Sequence, residues 1–169
     1  WAEGSDGKVQ WSIGKAQAQI SVNTDPITVT YGETVTLPTA TTNFGAVVCD
    51  KTAADLVNAG TYTVTYTVAG TDNFEGDTKS ITVTVNAKAI TVTAEAKSKT
   101  YGDADPKLTY TVVGLENNDT LTGELKRAAG EDVGAYAIEQ GTLTADNNYT
   151  ITYTGAELTI TAKAITEAD

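Results

Sequence analysis

Thr61-Tyr62-Thr63-Val64-Thr65-Tyr66-Thr67-Val68 decides the fold class of this chain. Tyr62, Val64, Tyr66 and Val68 fall on one side of a period-two repeat, and four threonines fall on the other. Strict alternation is the signature of a half-buried antiparallel strand, because successive side chains of a strand point to opposite faces. Branching at Cβ also suits threonine and valine to a pleated surface. The same rhythm returns at Ile27/Val29/Tyr31, Ile90/Val92, Leu108/Tyr110/Val112, Ile151/Tyr153 and Leu158/Ile160. Helical spacing is nearly absent; Lys51 to Val57 has room for one short turn. The class expected is all-β.

Laying the chain on itself exposes an internal repeat, which must be settled before any fold is assigned. Lys15-Ala16, Lys88-Ala89 and Lys163-Ala164-Ile165 recur in step with Asn73-Phe74 and Asn148-Tyr149. Gly60-Thr61-Tyr62 recurs as Gly134-Ala135-Tyr136, and Tyr31-Gly32 as Tyr101-Gly102. Two complete units follow, 15–87 and 88–162. Residues 163–169 read as the first strand of another unit, and residues 1–14 as the end of an earlier one, with Val9, Trp11 and Ile13 alternating. The chain opens on Trp1 and holds no methionine, which reads as a piece of a longer polypeptide. No Gly/Ser-rich linker separates the units, and Asn86-Ala87-Lys88 is too short to act as one. About seven short strands per unit suggest two small immunoglobulin-like antiparallel β-sandwiches arranged end to end, each near 30 Å long by strand rise. Units this small bury a modest share of their surface, so neighbouring repeats are the expected partners. Tyr62 and Tyr136 stand where such sandwiches place a tyrosine corner, and Val64 and Ile138 stand where antibody domains carry a cysteine.

Charge and composition exclude several functions. Eleven Lys and Arg face twenty-two Asp and Glu, a net charge of −11, with a pI near 4.3. Phosphate backbones and anionic membranes would be repelled. No apolar run approaches the ~18 residues that span a bilayer. Histidine is absent, so no Ser-His or Cys-His nucleophile can be built. Carboxylate pairs remain, but most acids sit in turns and a small sandwich offers no deep cleft; no catalytic residue is assigned. The single Cys49 cannot form an internal disulfide, and after Ala46-Val47-Val48 it reads as a small buried apolar residue. An exported β-protein without disulfides is a habit of bacterial surfaces.

The run Lys99-Thr100-Tyr101-Gly102-Asp103-Ala104-Asp105-Pro106 continues into Leu108-Thr109-Tyr110, then Gly130-Glu131-Asp132-Val133-Gly134-Ala135-Tyr136, Asn148-Tyr149 and Leu158-Thr159-Ile160. Over about 88–162 this resembles the MBG domain of the YGX type, a repeat of large bacterial surface and adhesin-like proteins. The first unit keeps Tyr31-Gly32 and Gly60-Thr61-Tyr62 but lacks the Asp-Ala-Asp-Pro turn, and it resembles a bacterial immunoglobulin-like repeat. The resemblance implies non-catalytic spacer and interaction repeats of an extracellular, cell-surface, adhesin-like protein, attached to the envelope through a part outside this chain. It transfers no catalytic residues.

Three ligand readings remain open. Calcium would need oxygen-rich loops: Asp72, Asn73, Glu75 and Asp77 form one, Asp103 and Asp105 another, and Glu116, Asn117, Asn118 and Asp119 a third. Turns need the same residue types, and no other cofactor is expected. A carbohydrate-binding module of a secreted polysaccharide-utilising protein is the alternative function, with Phe74 and Tyr149 as sugar platforms; a host or environmental glycan or protein would be the partner. Trp1 and Trp11 fall in the partial unit, 1–14. A Lys–Asn isopeptide bond is a third reading, with Lys88 and Asn148 as candidates by strand position.

Overall fold

The computed structural model describes residues 13–116 and 119–165. The earlier-repeat reading of residues 1–14 lies almost wholly outside them, as do Trp1, Trp11, Asn117, Asn118 and the last four residues of the following-repeat reading.

The regular secondary structure of the described chain is almost entirely strand. In order run β1 (Ala16–Gln17), β2 (Ile20–Ser21), β3 (Ile27–Thr30), β4 (Thr41–Thr42), β5 (Val48–Cys49), β6 (Gly60–Val68), β7 (Phe74–Glu75) and β8 (Asp77–Asn86). Then follow β9 (Lys88–Ala94), β10 (Lys97–Thr100), β11 (Tyr110–Val113), β12 (Lys126–Arg127), β13 (Gly134–Glu139), β14 (Tyr149–Thr154) and β15 (Ala156–Thr161). A 3₁₀ turn covers Ala53–Asp55, inside the window where one short turn was expected. Asp55 starts it by accepting hydrogen bonds from the Thr52 amide and hydroxyl, both at 2.8 Å.

Two compact units result. One gathers the described residues up to Ile27 with Val35–Leu56 and Thr61–Val83; the other gathers Thr28–Thr34, Val57–Gly60 and the described residues from Thr84 on. Compactness therefore divides the chain differently from the repeat anchors, because two short stretches preceding position 61 pack with the second unit.

The repeat is visible in the sheets. One four-stranded sheet has the order β3-β8-β6-β5, and another has β10-β15-β13-β12, which is the same arrangement one repeat later. The remaining strands form β11-β9-β14, β2-β4 and β1-β7. The ladders also correct one anchor. Ala16 donates its amide to Asn73 as Lys88 does to Asn148, so Ala16, rather than Lys15, occupies the place of Lys88.

The β-sandwich reading holds, with mixed sheets in place of wholly antiparallel ones. β9 and β14 run parallel with Ile90 opposite Ile151, and β10 and β15 run parallel with Lys99 opposite Ile160. Alternation reports that one face is buried; it carries no information on the direction of the neighbouring strand. Parallel neighbours need a long crossover, which the chain between β9 and β14 supplies.

The core follows the period-two pattern. Val64 and Val83 are fully buried, with Tyr66, Val68, Ile81 and Leu56 close behind. In the second unit Ile90, Val92, Ile138, Leu158 and Ile160 are at most 1% exposed, and each such side chain contributes about 1.5–3 kcal/mol by leaving water. Leu108, Leu125, Tyr136, Tyr153 and Ala156 pack around Ala94, Ile138 and Leu158. Cys49 corrects an expectation: it is exposed, and Val48 beside it is 65% exposed. β5 is two residues long and both of them are exposed, so neighbouring valines were a poor guide to burial there.

Candidate functional site

Several of the acidic and aromatic residues singled out above meet in two clusters in the second unit. The first is built from the Tyr101–Pro106 turn and the Gly130–Tyr136 loop. Lys99 projects from β10 with a side chain only 5% exposed. A buried ammonium needs charge partners, and Nζ finds Asp105 at 2.7 Å and Glu131 at 2.6 Å. Arg127, from β12, approaches the same carboxylates. Its Nε donates to Asp105 Oδ2 at 2.7 Å, and its Nη2 reaches Asp105 Oδ1 at 3.2 Å and also pairs with Glu131. Nη1 donates to the carbonyls of Ala128 and Gly130. The guanidinium carbon stands 5.4 Å from the centre of the Tyr136 ring, within cation–π range.

Two cations thus hold two carboxylates. The Arg127 and Lys99 hydrogen bonds bring the Asp105 carboxyl down to about 2, and Lys99 with Arg127 lowers Glu131. The same partners raise Lys99 and Arg127. Asp105 has both oxygens engaged by protein cations, so calcium would have to displace them. Tyr136 completes the cluster: its hydroxyl donates to the Asp132 carbonyl at 2.9 Å, the back-bond that defines a tyrosine corner. Tyr62, its repeat counterpart, is half-buried in β6.

The second cluster centres on Asn148 and Tyr149. Tyr149 starts β14 and is 8% exposed. Its hydroxyl donates to Asp119 Oδ2 at 2.6 Å and accepts the Glu116 amide at 3.0 Å. Tyr31 meets it edge-on with ring centres 5.2 Å apart, and the Tyr31 hydroxyl donates to the same Asp119 oxygen at 2.9 Å. Burial, followed by the Asp119 bond, pushes the Tyr149 phenol up to about 12; the Asp119 bond leads in raising Tyr31. Asn148 Oδ1 accepts the Ala59 amide at 2.7 Å, and Nδ2 donates to Asn58 and Asp146.

The remaining candidates are placed as follows. Tyr149 is not a sugar platform, because its ring is buried under Tyr31 and its hydroxyl is committed to Asp119. Phe74 lies in β7, half-buried, stacked on Phe44 with ring centres 3.6 Å apart; the stacked face is taken. In the 72–77 loop, Asp72, Asn73 and Glu75 are exposed. Asp77 accepts the amides of Ile20 at 2.7 Å and Thr78 at 2.8 Å, which lowers its carboxyl. Asp103 is exposed. Lys88 pairs with Glu116, and its amide donates to the Asn148 carbonyl at 2.8 Å, while the Asn148 side chain bonds Ala59, Asn58 and Asp146. Among the described residues no group of three or more His, Cys, Asp or Glu is placed to hold a metal ion, and no buried side-chain nitrogen or oxygen lacks a hydrogen-bond partner.

Sequence reasoning missed Lys99, Arg127 and Glu131 as a set. The available signal was Lys99 itself, a charged residue inside a strand and flanked by a motif rich in acids.

Tyr101, Asp105, Glu131 and Tyr136, the residues of the quoted motif, thus fall on one turn and the cluster beneath it. No curated protein matches the chain. Residues 90–159 match the family model described as MBG domain (YGX type), a match that suggests a repeat domain of surface-type proteins.

Proposed function

We propose that this chain is a stretch of non-catalytic spacer and interaction repeats in a bacterial extracellular, cell-surface, adhesin-like protein. The observation that carries the reading is how the motif residues are used. Asp105, Glu131, Lys99 and Arg127 satisfy one another, and Tyr136 and Tyr149 are held by internal hydrogen bonds. Such residues stiffen a unit and leave little polar chemistry free to turn over a substrate. The two units repeat the same sheet order, as a modular spacer requires. Strands as long as the ten residues of β8 reach roughly 33 Å at about 3.3 Å per residue. The acidic surface keeps exposed strand edges soluble and discourages sheet-to-sheet association.

The test is a binding screen of the purified chain against mucins and soluble and insoluble polysaccharides, with and without calcium. No saturable binding is expected. Saturable binding to one glycan would replace the spacer reading with a carbohydrate-binding module. The first place to mutate would then be the depression of about 420 Å³ lined by Lys107, Leu108, Tyr110, Gly123, Glu124 and Leu125.

A further inference from the structure

The two Tyr-Gly turns of the chain have the same backbone and opposite environments. Tyr31 donates its amide to the Asn86 carbonyl at 2.8 Å, and Tyr101 donates to Thr161 at 2.8 Å. Glu33 closes its turn onto Thr30 at 2.9 Å, and Asp103 closes its turn onto Thr100 at 3.0 Å. Gly32 and Gly102 take φ of +92° and +87°, which glycine adopts without strain. Yet Tyr31 is 8% exposed, covered by Tyr149 and Asp119, while Tyr101 is 49% exposed.

The contrast extends to two further pairs. Ala59 and Val133 each precede the glycine of a Gly-x-Tyr step. Ala59 is half-buried with its amide on Asn148, whereas Val133 is 57% exposed. Lys88-Ala89-Ile90-Thr91 reappears as Lys163-Ala164-Ile165-Thr166; Ile90 is 1% exposed and Ile165 is 94% exposed. Strand register brings two of the exposed members, Tyr101 and Val133, to one end of a sheet. Thr100 lies opposite Thr161, and Gly134 opposite Ile160, so Tyr101, Val133 and the chain leaving Thr161 emerge together.

We infer that Tyr101, Val133 and Ile165 form a docking face for one more unit of the same kind. The occupant is defined by what covers the equivalent residues in this chain: a loop carboxylate and a strand-initiating Asn-Tyr pair, in the roles of Asp119, Asn148 and Tyr149. Tyr101 would enter beside that tyrosine and donate to that carboxylate, the Val133 amide would bond the asparagine, and Ile165 would become a core residue of the arriving unit. Scattered exposed apolar residues need no explanation; two at one sheet end and a third on the chain that leaves it, each matched to a covered counterpart, do. The proposal rests on reading the chain as a run of like units.

The test lengthens the chain by joining a copy of residues 88–162 directly after Ala162, which preserves the Lys-Ala-Ile-Thr junction. Hydroxyl-radical footprinting read by mass spectrometry then compares tyrosines in the native and lengthened chains. In the native chain Tyr101 should label freely and Tyr31 slowly. In the lengthened chain Tyr101 should fall to the rate of Tyr31. Val133→Lys should leave the native chain's melting unchanged and restore Tyr101 labelling in the lengthened one. Equal Tyr101 labelling in both chains overturns the docking face, including the case where the added unit melts by itself. Glycan binding by the native chain would defeat the spacer reading and leave the Tyr101 comparison intact, so the two failures are separable.

Discussion

Arg127 holds Asp105 at two points, Nε to Oδ2 at 2.7 Å and Nη2 to Oδ1 at 3.2 Å. Planar guanidinium and planar carboxylate match in this geometry, which makes it stronger than a point contact. Lys99 uses the same carboxylate from the other side. The turn that carries Asp105 is therefore fixed by charges from β10 and β12.

Acid should loosen this unit in a defined window. Asp105 lies at about 2 through Arg127 and Lys99, and Glu131 is lowered by Lys99 and Arg127. A depressed folded-state value means the stabilisation is fully present above the ordinary carboxylate range, about 4, and is lost as pH falls through the folded value. Urea midpoints should be flat near neutrality and drop between about pH 4 and pH 2. Asp105→Asn should lower the midpoint at neutral pH and flatten that drop; an unchanged profile would count against the network.

The alkaline limb should belong to the tyrosine pair. Tyr149 is held up to about 12 by burial and by Asp119, and Tyr31 is raised chiefly by Asp119. A raised folded-state value favours the neutral phenol, so this stabilisation is complete below about pH 10 and disappears as pH climbs through the folded value. Ultraviolet titration should show a late step that belongs to Tyr149. Tyr149→Phe should remove that late step and cost roughly 1.5 kcal/mol in urea unfolding, since it deletes a hydrogen bond to a charged group.

Gly130 and Gly102 separate steric from conformational cost. A Cβ on Gly130 would stand 2.2 Å from Tyr136 Cε1 and 2.8 Å from its hydroxyl, with φ at +139°. Gly102 has φ of +87° and nothing within 4 Å of that position. Gly102→Ala should cost about 1–2 kcal/mol for the left-handed backbone alone. Gly130→Ala should cost clearly more in the same thermal melts, because Tyr136 must leave its place over Arg127.

Phe44 and Phe74 should be coupled. Their rings stack with centres 3.6 Å apart, and aromatic pairs contribute about 0.5–1.5 kcal/mol beyond their buried area. A double-mutant cycle with alanine at each position should return a coupling in that range. Additive losses would mean that the stacking itself contributes nothing.

Cys49 should react at once. The residue is exposed, and its thiol donates to the Lys51 carbonyl at 3.1 Å. A thiol reagent should modify one equivalent in the folded chain without denaturant. Slow labelling that speeds up in urea would place the sulfur inside.

The fold class and the repeat were written in the chain, and the reason is periodicity. Thr61 to Val68 commits alternate residues to opposite faces, and Tyr62, Val64, Tyr66 and Val68 do lie on the protected side. Motif spacing likewise marked about 88–162 as a repeat domain, and the family model matches 90–159 within it, because turns such as Tyr101-Gly102 impose local backbone demands that residue types reveal. Only tertiary structure decided the rest. Strand direction has no local signature, so the parallel ladders of β9 with β14 and β10 with β15 were illegible. The same holds for what each side chain meets: Tyr31 and Tyr101 sit in matching turns, yet one is covered and the other open. Lys99, Arg127, Asp105 and Glu131 are spread along the sequence and become one network only when β10, β12 and two loops converge. Alternation and turn chemistry act between near neighbours in sequence; burial and charge pairing act between neighbours in space, and only the folded chain brings those together.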